Sequence, residues 1–296
     1  MLVLVRVAFI TLIERKILSA AQIRVGPNVV GVWGLLQPFA DAVKLFSKEH
    51  AFLRRTTKAV HLFSPVISLF FMIVIWALVP LEAGALGFSF TLMVFICVSR
   101  LGVYPIIGRG WASNCKYRTL GALRGVAQII SYEVSLVVVL LRVIWTANSL
   151  NLEEILRVQA PIFNALFFAP LICIWLISSL AEVNRTPYDF SEGESELVSG
   201  FNTEYSAGGF SLLFIAEYGN IIFISLLFSL LFLSNSIGSA LIIKAMFIRF
   251  LFIWTRATLP RYRYDKLIYL AWKSLLPVAL FILAFYYCSG YSTVVC

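Results

Sequence analysis

Apolar residues come along this chain in long blocks, separated by short polar connections. The blocks fall at 1–13, running on as helix toward Ala20, then at 62–81, 88–108, 123–146, 161–182, 208–233, 239–256 and 267–288. A spanning helix needs about 20 apolar residues. Only structures that satisfy their own backbone hydrogen bonds cross a bilayer. The pattern therefore predicts an all-α, polytopic transmembrane helical bundle of about eight spanning helices, forming one integral membrane domain over residues 1–296. The first block is the shortest and carries Arg6. Arg100 and Arg142 fall inside two others. A charge at such depth costs roughly 2.5–3.5 kcal/mol on insertion scales unless it is paired or snorkels to the interface.

The connection from Gly26 to His61 has its own periodicity. In "GLLQPFADAVKLFSKEH", Leu35, Leu36, Phe39, Val43 and Phe46 recur at near-helical spacing, with Asp41, Lys44 and Lys48 on other faces. This predicts an amphipathic helix lying in the membrane interface or against a partner.

Composition supports lipid as the solvent. Of 296 residues, 60% are apolar and 13% charged, against roughly 25% charged in a typical soluble domain. Cys97, Cys115, Cys173, Cys288 and Cys296 form no CxxC pair and read as small apolar residues. His50 and His61 are too far apart to share a helix face. Neither observation suggests a metal site. Neither GxGxxG nor GxxxxGK[ST] occurs, so no known phosphate loop is expected. The start shows neither a transit segment nor a cleavable signal, so either the chain inserts as made, where it is made, or its start is incomplete.

Charge is distributed unevenly. The segment Arg15 to Lys58 holds eight Lys/Arg and Arg109 to Arg124 holds four; with Arg185, Arg256, Arg261, Arg263 and Lys266, the odd-numbered connections hold 17 of the 24 basic residues. The even connections hold almost none. The positive-inside rule puts the odd connections on the side of synthesis.

The acids are concentrated. Seven of 15 lie between Glu182 and Glu217, and "NRTPYDFSEGESELVSGFNTEY" holds Asp189, Glu192, Glu194, Glu196 and Glu204. Glu133 and Glu217 lie within apolar blocks, where a costly acid marks an ion or proton path, or else a structural pair. Glu192, Glu194 and Glu196 share a face in an extended strand, and Glu192 and Glu196 share one in a helix. Such neighbours raise each other's pKa and titrate as a group. The charge pattern alone leaves two readings of this run open: proton exchange, or a solvated loop docking a basic partner. Glu153 and Glu154 read as a solvated face.

Several stretches together resemble a known family: "LIERKILSAAQIRVGPNVVG", "QPFADAVKLFSKE", "GALRGVAQIISYEVSL", "AEVNRTPYDFSEGESELVSGFNTEYSAGGF", "FIAEYGN" and "LPRYRYDKLIYLAWKSLLP". In that order they resemble the quinone-site membrane subunit of respiratory complex I. The resemblance implies a proton-pumping NADH:ubiquinone oxidoreductase in which this chain carries no NADH, flavin or iron–sulfur site. It implies that ubiquinone is a substrate held at a subunit interface and that no cofactor is bound by this chain alone. Glu14, Arg15, Arg24, Asp41, Arg256, Arg261 and Arg263 match positions at the quinone chamber. Glu133, Glu182 and Glu217 match the acids leading away from it, and Glu192, Glu194, Glu196 and Glu204 extend that proton path into the acidic loop. The implied partners are the hydrogenase-like quinone-site subunit, the terminal iron–sulfur subunit, neighbouring small membrane subunits and membrane lipid, with no nucleic acid. The implied location is the mitochondrial inner membrane, or a bacterial plasma membrane. The sequence departs from the family's pattern at Arg100, Arg142, Lys116 and Arg118, and its first helix is shorter.

An ion-coupled secondary transporter is the alternative. It would show internal repeats with matching broken helices, and the sequence shows none. A purely structural anchor would have no use for intramembrane acids.

Overall fold

A computed structural model describes residues 2–49, 56–80, 89–159, 163–189, 205, 207–234 and 238–288. The described residues form helices and connections, with no strand. Each of the eight expected blocks corresponds to a helix. These are α1 (Leu2–Ala21), α3 (Lys58–Trp76), α4 (Thr91–Ala112), α5 (Lys116–Ala147), α8 (Ala169–Glu182), α9 (Ala207–Leu233), α10 (Ser239–Thr258) and α11 (Tyr264–Cys288). The remaining α-helices among the described residues are α2 (Gln37–Ser47), α6 (Leu152–Val158) and the single turn α7 (Asn164–Phe167).

Among the described residues, α3, α4, α5, α9 and α11 are long and apolar enough to cross a bilayer by length and composition. The other three depart from that standard for visible reasons. α1 carries Arg6, Glu14, Arg15 and Lys16, and α10 carries Lys244, Arg249 and Arg256. α8 has 14 residues, about 21 Å at 1.5 Å per residue, less than a 30 Å hydrocarbon core.

Helix boundaries shift two expectations. The block at 88–108 continues to Ala112 in two α-helical pieces that meet at Gly102, so Arg109 lies inside a helix rather than in a connection. The block at 123–146 begins at Lys116, which brings Arg118 and Arg124 into α5. Apolar run length underestimates these helices because their ends are polar yet still wound.

α5 and α9 form the centre. α5 packs along α8 and α4, while α9 contacts α1, α3 and α10. Where α4 crosses α5, Gly110 faces Ala122, and small residues let the backbones approach closely. α2 crosses α1 and α9, with Phe39 edge-on to Phe9 at 6.1 Å. Its Val43 and Phe46 remain exposed, as the amphipathic pattern requires.

Two helices widen locally into π turns, at Ser229–Leu233 and Leu270–Leu275. Side chains donate to carbonyls at the first: Gln159 Nε2 to Leu230 O (2.9 Å), Asn164 Nδ2 to Leu231 O (3.0 Å) and Lys244 Nζ to Leu233 O (2.6 Å). This satisfies backbone acceptors that water cannot reach.

Arg142 does not reach the interface. It is 1% exposed, and its guanidinium carbon lies 5.2 Å from the Trp145 ring centroid, 5.1 Å from Phe168 and 4.8 Å from Tyr286. Three ring faces take the place of a counter-ion. Its Nε and Nη1 have no hydrogen-bond partner among the described residues.

Candidate functional site: a polar cavity beside an apolar groove

The intramembrane acids sit around one cavity. It has a volume of about 550 Å³, and its wall includes Glu182 from α8, Glu217 from α9, Arg109 from α4, and Arg185 and Asp189 from the connection after α8. Phe71, Met72 and Phe223 supply apolar wall. The acids face inward because their helices are otherwise apolar, and a polar cavity is the cheapest place for a carboxylate at that depth.

Several of these charged groups are paired. Arg109 Nη1 lies 3.9 Å from Glu217 Oε1. Arg261 Nη2 lies 3.6 Å from Asp189 Oδ2, joining the connection after α8 to the one before α11. That joint is reinforced by Tyr262 N–H, which donates to Pro187 O (3.1 Å). Gln128 Nε2 on α5 donates to both Ala181 O (2.8 Å) and Tyr188 O (2.7 Å), fixing the end of α8 and the turn beyond it.

Glu133 lies behind this wall. Arg100 Nε donates to its Oε1 at 3.0 Å, and Ser99 Oγ at 3.4 Å. Arg100 is thus paired, although its side chain is 60% exposed on the outside of the bundle. Ser99 lines the cavity, so one hydroxyl connects Glu133 to the space that Glu182 and Glu217 share.

A second space, of about 300 Å³, lies between α1, the end of α8, α9 and α10. Its wall is mostly apolar, with Phe9, Ile10, Ile13, Met246 and Phe250 among its residues. Val183, Arg185, Tyr218 and Arg256 line both spaces. Glu14 faces the groove and binds the two arginines of this partition: Arg256 Nη1 donates to its Oε1, and Arg185 Nη1 lies 3.7 Å from the same oxygen. Arg185 also stands 4.3 Å from the Tyr218 ring centroid. Burial works against the Arg185 charge. Tyr218, Glu14 and Glu217 outweigh it, so the Arg185 pKa lies above the ordinary arginine value.

The residues expected at the chamber therefore divide. Glu14 and Arg256 meet at the partition, and Arg261 reaches the cavity. Arg15 and Asp41 form their own pair at 2.7 Å, with Gln37 Nε2 donating to Asp41 at 3.1 Å, tying α1 to α2. Neither lines the two spaces. Arg24 and Arg263 are exposed and lie outside both walls. Of the expected proton path, Glu182 and Glu217 line the cavity and Glu133 abuts it. Glu192, Glu194, Glu196 and Glu204 lie outside the described residues. Glu153 is exposed in the first turn of α6, where its N–H donates to the Asn151 side chain.

The sequence pattern named Asp189, Arg109 and Arg185 only as members of charged connections, and did not single out Tyr218 or Asn220. Asn220 had a signal. It follows Glu217 by three residues on one face of an apolar helix.

Comparison with known proteins places the chain. The family described as NADH dehydrogenase matches residues 1–287. The chain belongs to the NADH dehydrogenase family. It is 52% identical over 285 residues to "NADH-ubiquinone oxidoreductase chain 1" of Aedes aegypti, covering 96% of this chain and 91% of the relative. It is 45% identical over 291 residues to the protein of that name from Hylobates lar, covering 96% and 92%. The protein of that name from Branchiostoma lanceolatum is 47% identical over 281 residues, covering 94% and 89%. None of these likenesses favours a secondary transporter.

Proposed function

We propose that this chain is a membrane subunit of the proton-pumping NADH:ubiquinone oxidoreductase, complex I, and works within it by joining a quinone path to a proton path. The observation that supports this is the shared wall. An apolar groove between α1 and α10 suits an isoprenoid chain, and it meets a polar, acid-lined cavity at Val183, Arg185, Tyr218 and Arg256, with Glu14 on the groove side. A quinone entering along the groove brings its uncharged headgroup to this partition. Reduction there adds negative charge. Nearby arginines stabilise that charge, and carboxylates beyond them exchange the protons.

In this reading the electrons come from partner subunits, and this chain binds no redox cofactor of its own. Ubiquinone is bound where this chain meets the hydrogenase-like and terminal iron–sulfur subunits. Neighbouring small membrane subunits and lipid cover the exposed apolar faces. The mitochondrial inner membrane is the location, with the basic connections facing the matrix.

Photoaffinity labelling tests the quinone path. A photoreactive ubiquinone, irradiated in the assembled complex, should attach to peptides of α1 and α10 that carry Phe9, Ile13, Met246 or Phe250, and excess ubiquinone should compete. Attachment only to other subunits, or to this chain away from the groove, would overturn the placement.

A further inference from the structure

The apolar groove carries more positive charge than its own wall neutralises. Among the described residues four arginines line it: Arg6 from α1, Arg185 from the connection after α8, and Arg249 and Arg256 from α10. One carboxylate, Glu14, lines it with them. Glu14 is already committed to Arg256 and Arg185. Arg6 and Arg249 are left over. Arg249 Nε donates to Ser225 Oγ on α9 at 2.8 Å, and among the described residues neither arginine has an ion pair or any other hydrogen bond. They are close enough for their charges to oppose one another. Arg249 does not reach water along its helix. It stands ten residues after the start of α10 and nine before its end, about 15 Å and 14 Å at 1.5 Å per residue, farther than an arginine side chain extends. Its bond to Ser225 also draws it inward. Two such guanidinium groups in an apolar groove are costly, and charges at that depth mark the path of a ligand or ion.

We infer that Arg6 and Arg249 hold the carboxylate of a long-chain fatty acid whose alkyl chain lies along the groove, and that this acid excludes ubiquinone from it. The wall fits both halves of such a molecule. The guanidinium groups present paired donors that match the two oxygens of a carboxylate. Phe9, Ile10, Ile13, Met246 and Phe250 give the chain an apolar bed. The groove, of about 300 Å³, receives the part of the chain next to the head, and the rest stays in lipid. Depth selects this headgroup. A protonated carboxylic acid is uncharged and enters hydrocarbon in that form. It ionises only against the guanidinium groups, and its proton leaves to solvent water. A phosphodiester keeps its charge at neutral pH and stays at the interface. Position explains the competition. Arg6 precedes Glu14 by eight residues and Arg249 precedes Arg256 by seven, so the pair stands about two turns short of the partition. An occupant there blocks the groove before a quinone headgroup reaches the partition.

The competition rests on the quinone-path reading above. The test uses the assembled complex in phospholipid vesicles. Oleate is the probe, and methyl oleate, which keeps the chain and lacks the charge, is the control. Oleate should inhibit NADH-driven ubiquinone reduction in competition with ubiquinone and leave NADH oxidation by a water-soluble acceptor untouched. Methyl oleate should be weaker by about tenfold or more, the worth of one charge-assisted contact. Arg6→Leu and Arg249→Met should each weaken inhibition by oleate several-fold, and together by about tenfold or more. Turnover without oleate should stay near wild type. A photoreactive fatty acid should attach to peptides of α1 and α10, with excess oleate competing and excess methyl oleate failing to compete. This arm uses the wild-type complex and carries the test where the variants fail to assemble. Equal potency of oleate and methyl oleate, or unchanged inhibition in the double variant, would overturn the inference. If the double variant fails to assemble and the photoreactive acid attaches only elsewhere, the arginines hold a carboxylate on a spanning helix of a neighbouring subunit, and the inference fails. If photoreactive ubiquinone attaches in the groove and the fatty acid does not, the inference fails alone. If the fatty acid attaches there and ubiquinone does not, the quinone path falls and the competition with it, while the carboxylate site stands.

Discussion

Glu14→Ala removes a carboxylate that holds the partition between groove and cavity. Its side chain is 9% exposed, and both Arg256 and Arg185 bind the same oxygen. Truncating one partner of a buried ion pair costs about 3–5 kcal/mol, because the remaining charge is left uncompensated. Two features pull the value toward the lower end. Arg256 is 35% exposed, so water takes up part of its charge. Arg185 keeps its place against the Tyr218 ring. About 3 kcal/mol remains, roughly a hundredfold in an equilibrium constant. The assay is the rate at which heating destroys quinone reductase activity in the purified complex, a measure of kinetic stability. Glu14→Ala should speed inactivation by at least about tenfold, allowing for contacts that persist in the transition state. Glu14→Gln should do less, since its amide oxygen still accepts from Arg256. The double variant Glu14→Ala/Arg256→Ala should be less harmful than the sum of the singles by about 1 kcal/mol or more. Additivity within about 0.5 kcal/mol would refute the claim that these residues act as one network.

Other expectations follow from packing and charge. A Cβ at Gly110 would collide with that of Ala122, so Gly110→Val should force α4 from α5, cost about 1–3 kcal/mol and lower the yield of assembled complex, read on native gels. Arg142→Gln removes a buried charge held, among the described residues, by aromatic rings. Heat inactivation should therefore change by less than about threefold, and a loss comparable to Glu14→Ala would mean that the cage holds α5 to α11. Ser47→Cys and Glu153→Cys should react with an impermeant thiol reagent from opposite sides of the membrane. Reaction from the same side would overturn the orientation.

Much of this architecture was legible because lipid imposes a simple rule. Where the apolar run was long, as at 208–233 against Ala207–Leu233, block and helix agree closely. The rule fails at polar ends. α5 begins at Lys116, seven residues before its apolar run, because the winding continues after the lipid-compatible side chains stop. The acids at 133, 182 and 217 stood out as anomalies against an apolar background. Their partners did not. Arg109 read as a residue of a basic connection, Arg100 as a charge inside an apolar block with no partner assigned, and Asn220 was not singled out. Each acquires meaning only from a contact between helices far apart in sequence. Likewise, no periodicity could show that Glu14 in α1 meets Arg256 in α10, 242 positions away.

Glu217→Gln tests the central claim that cavity acids couple quinone reduction to proton movement. The substitution keeps the shape and an oxygen for Arg109 while abolishing proton exchange. NADH-driven quinone reduction and proton translocation should be recorded together in vesicles that contain the assembled variant. The account predicts normal NADH oxidation by a water-soluble acceptor, with quinone-coupled turnover and proton movement both down by about tenfold or more. Wild-type turnover with a wild-type number of protons per NADH would contradict it.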